Sequence, residues 1–501
     1  MAGRMAPQDA TMYWLAERTR NDLFLVYSFA DRGVPTAELR ARVQRRSALI
    51  PDLRVRLRAV PRDLDYPSWV PCAFSASQFI EHDLPQADWR GLQTAIGELL
   101  GTGVDAADRP WRIHLFRGVT GPPMRAEAEE LATVVVLQMS HALADGKRAA
   151  EIARSLFGED EPPRPGRSSF SRKPLLGVRL RAAQPTAGVG QPTAGVGQPT
   201  AGVGLGTASA VLWMASEGLR TANAGLRMAA GIVRAPVQVL QTLVRGYQAY
   251  RAQQILAELT ESGRLPAPGP SFIPSAVNQP GAQPNSVHQA RMLVFDAADL
   301  RIPDRTVTVL VLTAVSLALP NYLTTLGKPV DESGAQVPMA RSGKARARNN
   351  YRSLGVDLHI DEPDLRRRAA RIAVTLADRR TRAEHPLLSA QDRVTEVTPA
   401  AFLRRDLARY PLDTVPDTIS GHTVVSSVHR GPADLSFGGP VRFTAGFPAI
   451  GSVMHLTHGV HGLGDTVTIS LHADTGAVPD IDTYAGFLDA ALREVRAAHQ
   501  Q

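Results

Sequence analysis

The sequence predicts an α/β or α+β sandwich, with strands and helices in both halves of the chain. Residues 131–139 (LATVVVLQM) are almost all apolar and rich in valine, which is typical of a strand covered on both faces. Residues 466–473 alternate apolar and polar side chains, which indicates a half-buried strand. Each of these two strands precedes a segment with helical spacing, and strands mixed with long helices form layered folds.

The N-terminal half contains three further predicted helices and one further strand. Residues 37–47 and 92–100 are predicted helices, the first with Thr36 as its N-cap. Residues 111–116 alternate and predict a strand. Residues 147–157 place their apolar side chains at helical spacing, which predicts an amphipathic helix against the core.

The C-terminal half contains three predicted helices. Residues 212–233 carry a narrow leucine and alanine seam, and we expect this helix to be interrupted near Pro236. Residues 307–319 are the longest nearly apolar run. A bilayer needs about 20 such residues, so we expect a buried core helix here. A terminal helix at residues 481–495 follows Asp480, which is a suitable N-cap.

An internal repeat divides the chain. The heptapeptide QPTAGVG occurs three times in tandem, at residues 184–190, 191–197 and 198–204. Proline, glycine and small side chains cannot bury a core, so this region is a predicted flexible linker. The sequence therefore predicts an N-terminal unit at residues 1–157, a linker at 158–206 and a C-terminal unit at 207–501.

Composition limits the class of protein. Of the 501 residues, 44% are hydrophobic and 21% charged, which excludes wholesale disorder. A single cysteine, Cys72, excludes a disulfide framework and a multi-cysteine zinc site. The first 20 residues include Asp9 and Glu17 and lack a signal-peptide layout, so we expect a cytoplasmic protein. The net charge of +8 favours anionic partners.

The segment with the most chemical information is residues 140–146 (SHALADG), which follow the predicted buried strand. A neutral imidazole of His141 in this place can accept a proton from a hydroxyl. Asp145 can orient the loop through an ion pair or an N-cap bond, and Gly146 permits a backbone conformation or a close approach that a Cβ would block. The alternative is an ordinary polar turn, since Asp-Gly is common turn chemistry.

The HxxxDG pattern at residues 141–146 resembles the core of the HHxxxDG motif of CoA-dependent acyltransferases. Four further segments resemble, in the same order, motifs of the bacterial wax ester synthase/diacylglycerol acyltransferase family. These are residues 5–10 (MAPQDA, for LSPLDA), 105–115 (DAADRPWRIHL, for LDRSRPLWEVHL), 277–281 (VNQPG, for LNGPxG) and 426–432 (SSVHRGP, for SNVPGP). The strand and helix at residues 466–495 resemble the C-terminal end of that family.

The resemblance implies two chloramphenicol-acetyltransferase-like subdomains with an active-site tunnel between them. It also implies transfer of a fatty acyl group from acyl-CoA, as co-substrate, to a lipid alcohol. The alcohol would be diacylglycerol, giving triacylglycerol, or a long-chain fatty alcohol, giving a wax ester. His141 takes the position of the catalytic second histidine. Asp145 would be mainly structural, Gly146 would keep the tunnel open, and no metal or bound cofactor would be needed.

The chain departs from the family pattern at three places. Ser140 stands where the family has its first histidine, residues 426–432 lack the Asn and the first Pro, and the family's TVND region reads TVTV at residues 306–309. These departures support two alternatives. One is a non-catalytic lipid-binding protein of the same fold, and the other is a stand-alone condensation-type acyltransferase for another alcohol.

Two basic regions predict anionic partners. Arg341, Lys344, Arg346 and Arg348 share a segment without an acidic residue, and they could hold CoA phosphates or lipid headgroups. No aromatic or recognition-helix pattern accompanies them, so a nucleic-acid partner is not predicted. Arginines along the helix at residues 212–233 predict peripheral contact with an anionic membrane or a lipid droplet.

Three histidines at three-residue spacing suggest a metal site as one interpretation. His455, His458 and His461 would share one side of a helix, but Gly459 and Gly462 oppose a helix. The sequence therefore predicts a polar loop between strands and no metal site.

Overall fold

The computed structural model describes residues 3–158, 225–279, 287–341, 346–412 and 414–500, without the side chains of residues 225–235. The described helices are α1 (Pro7–Leu15), α2 (Thr36–Ser47), α3 (Trp89–Leu100), α4 (Gly146–Phe157), α5 (Gly225–Glu261), α6 (Val307–Thr325), α7 (Leu365–Ala383), α8 (Ser389–Val397), α9 (Ala400–Arg409) and α10 (Ile481–Gln500). The described strands are β1 (Gly3–Arg4), β2 (Leu23–Ala30), β3 (Val55–Arg58), β4 (Ser68–Pro71), β5 (Phe79–His82), β6 (Trp111–Val119), β7 (Ala132–Met139), β8 (His288–Asp296), β9 (Gly334–Ala340), β10 (Tyr351–Asp357), β11 (Thr423–His429), β12 (Val441–Phe447), β13 (Leu456–Leu463) and β14 (Thr466–Asp474).

The first large sheet has five strands in the order β12–β2–β7–β6–β5. β7 lies in its middle, antiparallel to β2 and β6. Val135 and Leu137 pack in a core with α4, and Val134 and Val136 pack in a second core with α3. All eight side chains of β7 are therefore buried, and the predicted strand with two covered faces is confirmed.

The second large sheet has six strands in the order β10–β9–β11–β13–β14–β8. Helices α6, α7 and α10 contribute buried side chains to the core on one of its faces. A small three-stranded sheet, β1–β4–β3, lies beside the N-terminal elements. The molecule is thus built from mixed sheets covered by helices, as the sequence predicts.

The two halves of the chain interlock. β12 belongs to the C-terminal half but pairs antiparallel with β2 at the edge of the first sheet. Helix α3 packs against β8 of the second sheet, and a Cβ on Gly97 would lie only 2.6 Å from the carbonyl oxygen of His288. The predicted linker at residues 158–206 lies outside the described residues except for Gly158.

Several predicted elements agree closely with the structure. The helices predicted at residues 92–100, 147–157 and 481–495 lie within α3, α4 and α10, and the strand predicted at 111–116 lies within β6. The Asp480 carboxylate accepts a hydrogen bond from the Thr483 amide at 2.9 Å, so the predicted cap of α10 is confirmed.

Two predictions about helix ends are wrong. Thr36 is the first residue of α2 instead of its cap, because its hydroxyl hydrogen-bonds to Glu81 at 2.8 Å. Helix α5 continues through Pro236 to Glu261. Pro236 is exposed, so water can satisfy the carbonyl that loses its partner. Residues 212–224 of that predicted helix lie outside the described residues.

The prediction that residues 466–473 form a half-buried strand is also wrong. The polar face of β14, which carries Thr468, Ser470 and His472, is buried as well. That face meets the strand and loop of the other sheet, because Ser470 accepts a bond from the Gly446 amide at 3.4 Å and His472 Nδ1 lies 2.9 Å from the Pro448 carbonyl. Along β14 the two sheets therefore meet through polar side chains.

Helix α6 is longer than the apolar run that predicted it. It extends through Pro320 to Thr325, and among the described helices it is the one long and apolar enough to cross a membrane. Twelve of its side chains are buried, ten of them in the apolar core with α7, α10 and the second sheet. Burial, and not length, therefore identifies it as a core helix.

Candidate active site

His141 lies in the short loop that follows β7. Its neighbours Ala142, Leu143 and Ala144 are fully buried in the N-terminal core. Ser140 is 1% exposed, and its Oγ accepts a hydrogen bond from the Ala142 amide at 3.3 Å. The loop is anchored on both sides of His141, so the partly exposed imidazole stands in a defined position.

Asp145 joins this loop to the C-terminal half. One carboxylate oxygen accepts the Arg148 amide at 2.9 Å and caps α4. The other oxygen accepts the Asn350 amide at 3.2 Å, and the Asp145 amide donates to the Arg348 carbonyl at 3.3 Å. This geometry is that of a structural residue.

Glycine at position 146 is not required by the surroundings that the structure describes. Gly146 has no positive φ, and an added Cβ would meet only Cγ2 of Val428, at 3.9 Å. The expectation of a special backbone conformation is therefore wrong, whereas the role of Gly146 in keeping the tunnel open for substrate stays a prediction. A methyl group would point toward Val428 on β11, across the space between the halves.

The imidazole of His141 contacts an amide from a distant part of the chain. His141 Nδ1 and Asn349 Oδ1 lie 2.7 Å apart, and Asn349 Nδ2 donates to the His141 carbonyl at 2.7 Å. Asn349 Nδ2 also donates to a carboxylate oxygen of Asp9 at 3.0 Å. Burial lowers the pKa of His141, so the ring is neutral at pH 7.

Tyr351 is the aromatic neighbour of this histidine. The two ring centroids lie 6.0 Å apart. Burial and the charge of Asp145 raise the pKa of Tyr351 to about 12, so its hydroxyl stays protonated at neutral pH.

A cavity of about 510 Å³ lies beside this site. Asn349 and Tyr351 form part of its wall, whereas His141 is not among its lining residues. Its charged lining residues are Arg4, Arg341, Arg346, Arg352, Asp392 and Glu396. The described wall carries two more cationic than anionic side chains, so the cavity suits an anionic group.

The structure separates the four cations that the sequence grouped together. Arg348 pairs with Asp52 at 2.7 Å and lies over the Trp69 ring, so its described contacts are structural, and its assignment as a substrate ligand stays a prediction. Arg341 shares Asp392 with Arg352, at 2.9 and 2.6 Å. Arg346 is exposed and has no hydrogen bond or ion pair to another described residue. Lys344 lies outside the described residues.

The three histidines of residues 455–461 do not lie in a loop. His458 and His461 are buried in β13, on opposite faces because they are three residues apart, and His455 immediately precedes the strand. Within the described ranges no three His, Cys, Asp or Glu side chains are placed to hold a metal ion. The prediction of a loop is therefore wrong, and strand pairing is the reason.

Asn349 and Asp9 are the site residues that sequence reasoning missed. Asp9 belonged to the quoted segment MAPQDA, so the motif itself was the signal. Asn349 gave no local signal, since it lies 208 residues from His141 in the chain.

Two sheets with a histidine loop at their junction define a fold that is shared with solved acyltransferases and condensation domains. The wax ester synthase/diacylglycerol acyltransferase from Marinobacter aquaeolei VT8 matches with a TM-score of 0.58 and 16% identity, over 99% of this chain and all of that one. A mutant starter condensation domain of the rhizomide synthetase RzmA, in complex with C8-CoA and Leu-SNAC, matches with a TM-score of 0.52 and 13% identity, over 100% and 95% of the chains. These similarities show the fold.

Family models identify the chain more narrowly. The wax ester synthase/diacylglycerol acyltransferase catalytic domain matches residues 5–254, and the C-terminal domain of the same family matches residues 348–496. The chain belongs to the wax ester synthase/diacylglycerol acyltransferase family. A comparison with curated protein sequences finds no significant match.

Proposed function

We propose that the protein is an acyl-CoA-dependent O-acyltransferase that esterifies a lipid alcohol. Diacylglycerol is the first candidate acceptor, and a long-chain fatty alcohol is the second. The observation that carries the proposal is the His141 imidazole, which follows a strand that is buried on both faces. The ring is neutral because of burial, and its Nδ1 is hydrogen-bonded to Asn349. Its other nitrogen, Nε2, is the candidate base.

In the proposed reaction, Nε2 accepts the proton of the acceptor hydroxyl while the oxygen attacks the thioester carbonyl. The new C–O bond forms, the C–S bond breaks, and the imidazolium returns the proton to the CoA sulfur. The products are an ester and free CoA. A positioned base supplies roughly 10²–10⁴-fold of rate, and orientation of the two substrates must supply much of the rest.

The position of Ser140 supports a retained active site. The side chain is buried and holds the loop through the Ala142 amide, so it does not compete for the imidazole of His141. Loss of the family's first histidine thus leaves the candidate base and its hydrogen bond to Asn349 in place.

The test is an acceptor panel. Purified protein receives labelled palmitoyl-CoA with dioleoylglycerol, hexadecanol or no acceptor, and the lipid products are separated. We expect labelled triacylglycerol, with wax ester as the second product. Ester formed only with another alcohol favours the condensation-type alternative, and lipid binding without any ester favours the non-catalytic one.

The basic cavity is proposed to hold the phosphates of acyl-CoA. Arg341 and Arg352 carry two positive charges, of which Asp392 neutralises one. Arg346 is exposed in the wall of the same cavity. A guanidinium without a carboxylate partner is a good donor to a phosphate oxygen.

Replacing Arg346 with alanine is expected to raise the KM for palmitoyl-CoA about three- to tenfold, because one charge-assisted phosphate contact is lost. The kcat should stay within about twofold. With a palmitoyl thioester of N-acetylcysteamine, which has no phosphate, the KM should be unchanged. Arg301→Ala, an exposed arginine outside the cavity lining, is the control. An equal KM rise with both thioesters would contradict the phosphate contact.

Helix α5 is proposed to bring the protein to an anionic membrane or a lipid droplet. Six large apolar side chains of this helix are 50–65% exposed in the described part of the chain: Val237, Leu240, Leu243, Val244, Tyr247 and Tyr250. The opposite side of the helix packs through Ala249 and Ala252 on Ala390 and Val394. An apolar helix face combined with a net charge of +8 suits a negatively charged lipid surface.

The double substitution Leu240→Asp with Tyr247→Asp is expected to weaken binding to phosphatidylglycerol-containing vesicles by about tenfold or more, because buried apolar area is lost and two charges repel the surface. Flotation of vesicles with bound protein measures the effect. Gln241→Asp with Gln248→Asp adds the same charges to the same helix at polar positions. If that control weakens binding as much, charge alone explains the result and the apolar face is not the contact.

A further inference from the structure

A buried carboxylate fixes the segment that contacts His141. Asp9, in α1, is 2% exposed. Its oxygens accept the backbone amides of Arg348 and Asn349 at 2.9–3.0 Å and the Asn349 side-chain Nδ2 at 3.0 Å. Three donors from two successive residues converge on one carboxylate, so the Asn349 side chain is held in one orientation.

This arrangement determines which atom of Asn349 faces the imidazole. Nδ2 lies next to the Asp9 carboxylate and the His141 carbonyl, which both accept hydrogen bonds. The amide nitrogen must therefore stand there, and Oδ1 must stand 2.7 Å from Nδ1 of His141. Because an amide oxygen can only accept, Nδ1 carries the proton and the lone pair of the neutral ring is on Nε2.

We propose that Asn349 is a positioning residue for the proposed acyl transfer, and that Asp9 positions Asn349. The proposal rests on the proposed function of His141 as the base. Asn349 selects the tautomer in which Nε2 can accept a proton, and it fixes the plane of the ring. The three groups come from α1, from the loop after β7 and from the segment before β10, so the base is complete only when the C-terminal half is docked on the N-terminal half.

The variant is Asn349→Ala, which removes the acceptor that faces Nδ1 of His141. We expect Asn349→Ala to lower kcat about 10- to 100-fold with the KM for palmitoyl-CoA within twofold, because the base loses its tautomer preference while the substrate contacts stay in place.

A measurement that does not depend on turnover tests the positioning role of Asn349 separately from the proposed acyl transfer. Diethyl pyrocarbonate acylates neutral imidazole nitrogen, and peptide mass spectrometry gives the rate at His141 as a function of pH. We expect Asn349→Ala to slow this labelling, with Asp9, Asp145 and Arg348 as the charged groups beside the site. Asn349→Ser is the second variant, should Asn349→Ala not fold by circular dichroism.

Folded Asn349 variants with wild-type labelling and kcat within threefold of wild type would overturn the positioning role. If the wild-type protein esterifies no alcohol but the labelling slows in the variant as expected, the tautomer assignment stands and the proposed function is the part that fails.

Discussion

Replacing His141 with alanine is expected to lower kcat for ester formation by about 10²–10⁴-fold, because the hydroxyl of the acceptor loses its general base. The KM for palmitoyl-CoA should change by less than about threefold, since the cavity that would hold the phosphates does not include this side chain. Initial rates at saturating acceptor, followed by product separation, measure both constants. His141→Gln is the companion variant, because its amide fills the site but cannot accept a proton near neutral pH.

The same prediction has a pH dependence. Burial lowers the pKa of His141, and a base acts only when neutral, so kcat/KM should fall as pH falls through a midpoint below 6.5. His499→Ala removes a histidine from the last turn of α10 and is the control for loss of an imidazole as such. A folded His141→Ala variant that keeps more than a tenth of the wild-type kcat would contradict the assignment of the base.

Patterns that record local burial were sufficient to predict the elements around this base. β7 is buried on both faces, and α4 presents one face to the core. In both elements the positions of the apolar residues match the faces that neighbouring elements cover. The same reasoning failed for β14. The polar face of a strand is ordinarily exposed to solvent. In this protein Gly446 and Pro448 of the other sheet cover the polar face of β14.

Contacts that cross the chain could not be predicted in this way. Asp9 and Asn349 lie 340 residues apart, and no periodicity records that they meet. The charge run at residues 341–348 predicted a free basic surface, yet Arg348 forms an ion pair with Asp52 from the other half. Asp52 shares this interaction with Arg148. A residue type shows which interactions its side chain can make, whereas the fold determines which partner the side chain contacts.

Protonation of buried histidines at low pH is expected to have the largest effect on the free energy of unfolding. Burial lowers the pKa of His114 and His458 to about 4 and of His472 to about 3. A histidine with a lowered folded pKa contributes stability above the unfolded pKa of about 6.5 and loses it as pH falls toward the folded value. From pH 6.5 to pH 5, each of the three should cost about 2 kcal/mol of the free energy of unfolding.

Two buried carboxyl groups oppose this loss in part. Burial raises the pKa of Asp9 and of Asp22 to about 6. A carboxyl group with a raised folded pKa gains stability as pH falls through that value, by about 1 kcal/mol each between pH 6 and pH 5. For these five groups the net expectation is a loss of about 4 kcal/mol, a large share of the 5–15 kcal/mol typical of a folded protein. Urea unfolding at pH 7 and at pH 5 measures it.

His458 is the position where this expectation can be tested with one substitution. The Thr423 hydroxyl donates to the Leu456 carbonyl at 2.7 Å, so at 3.0 Å it must accept from Nδ1 of His458, and the Tyr484 hydroxyl must donate to Nε2 at 2.7 Å. Protonation of Nε2 would make this nitrogen a donor, so the Tyr484 hydroxyl would have to give up its own donation and accept instead. In the His458→Gln variant, the side-chain amide can donate to Thr423 and accept from Tyr484 without titrating. The variant should therefore lose about 2 kcal/mol less than wild type between pH 7 and pH 5, even if it is less stable at pH 7. A pH slope equal to that of wild type, with His499→Gln as the surface control, would mean that His458 is not held neutral by this network.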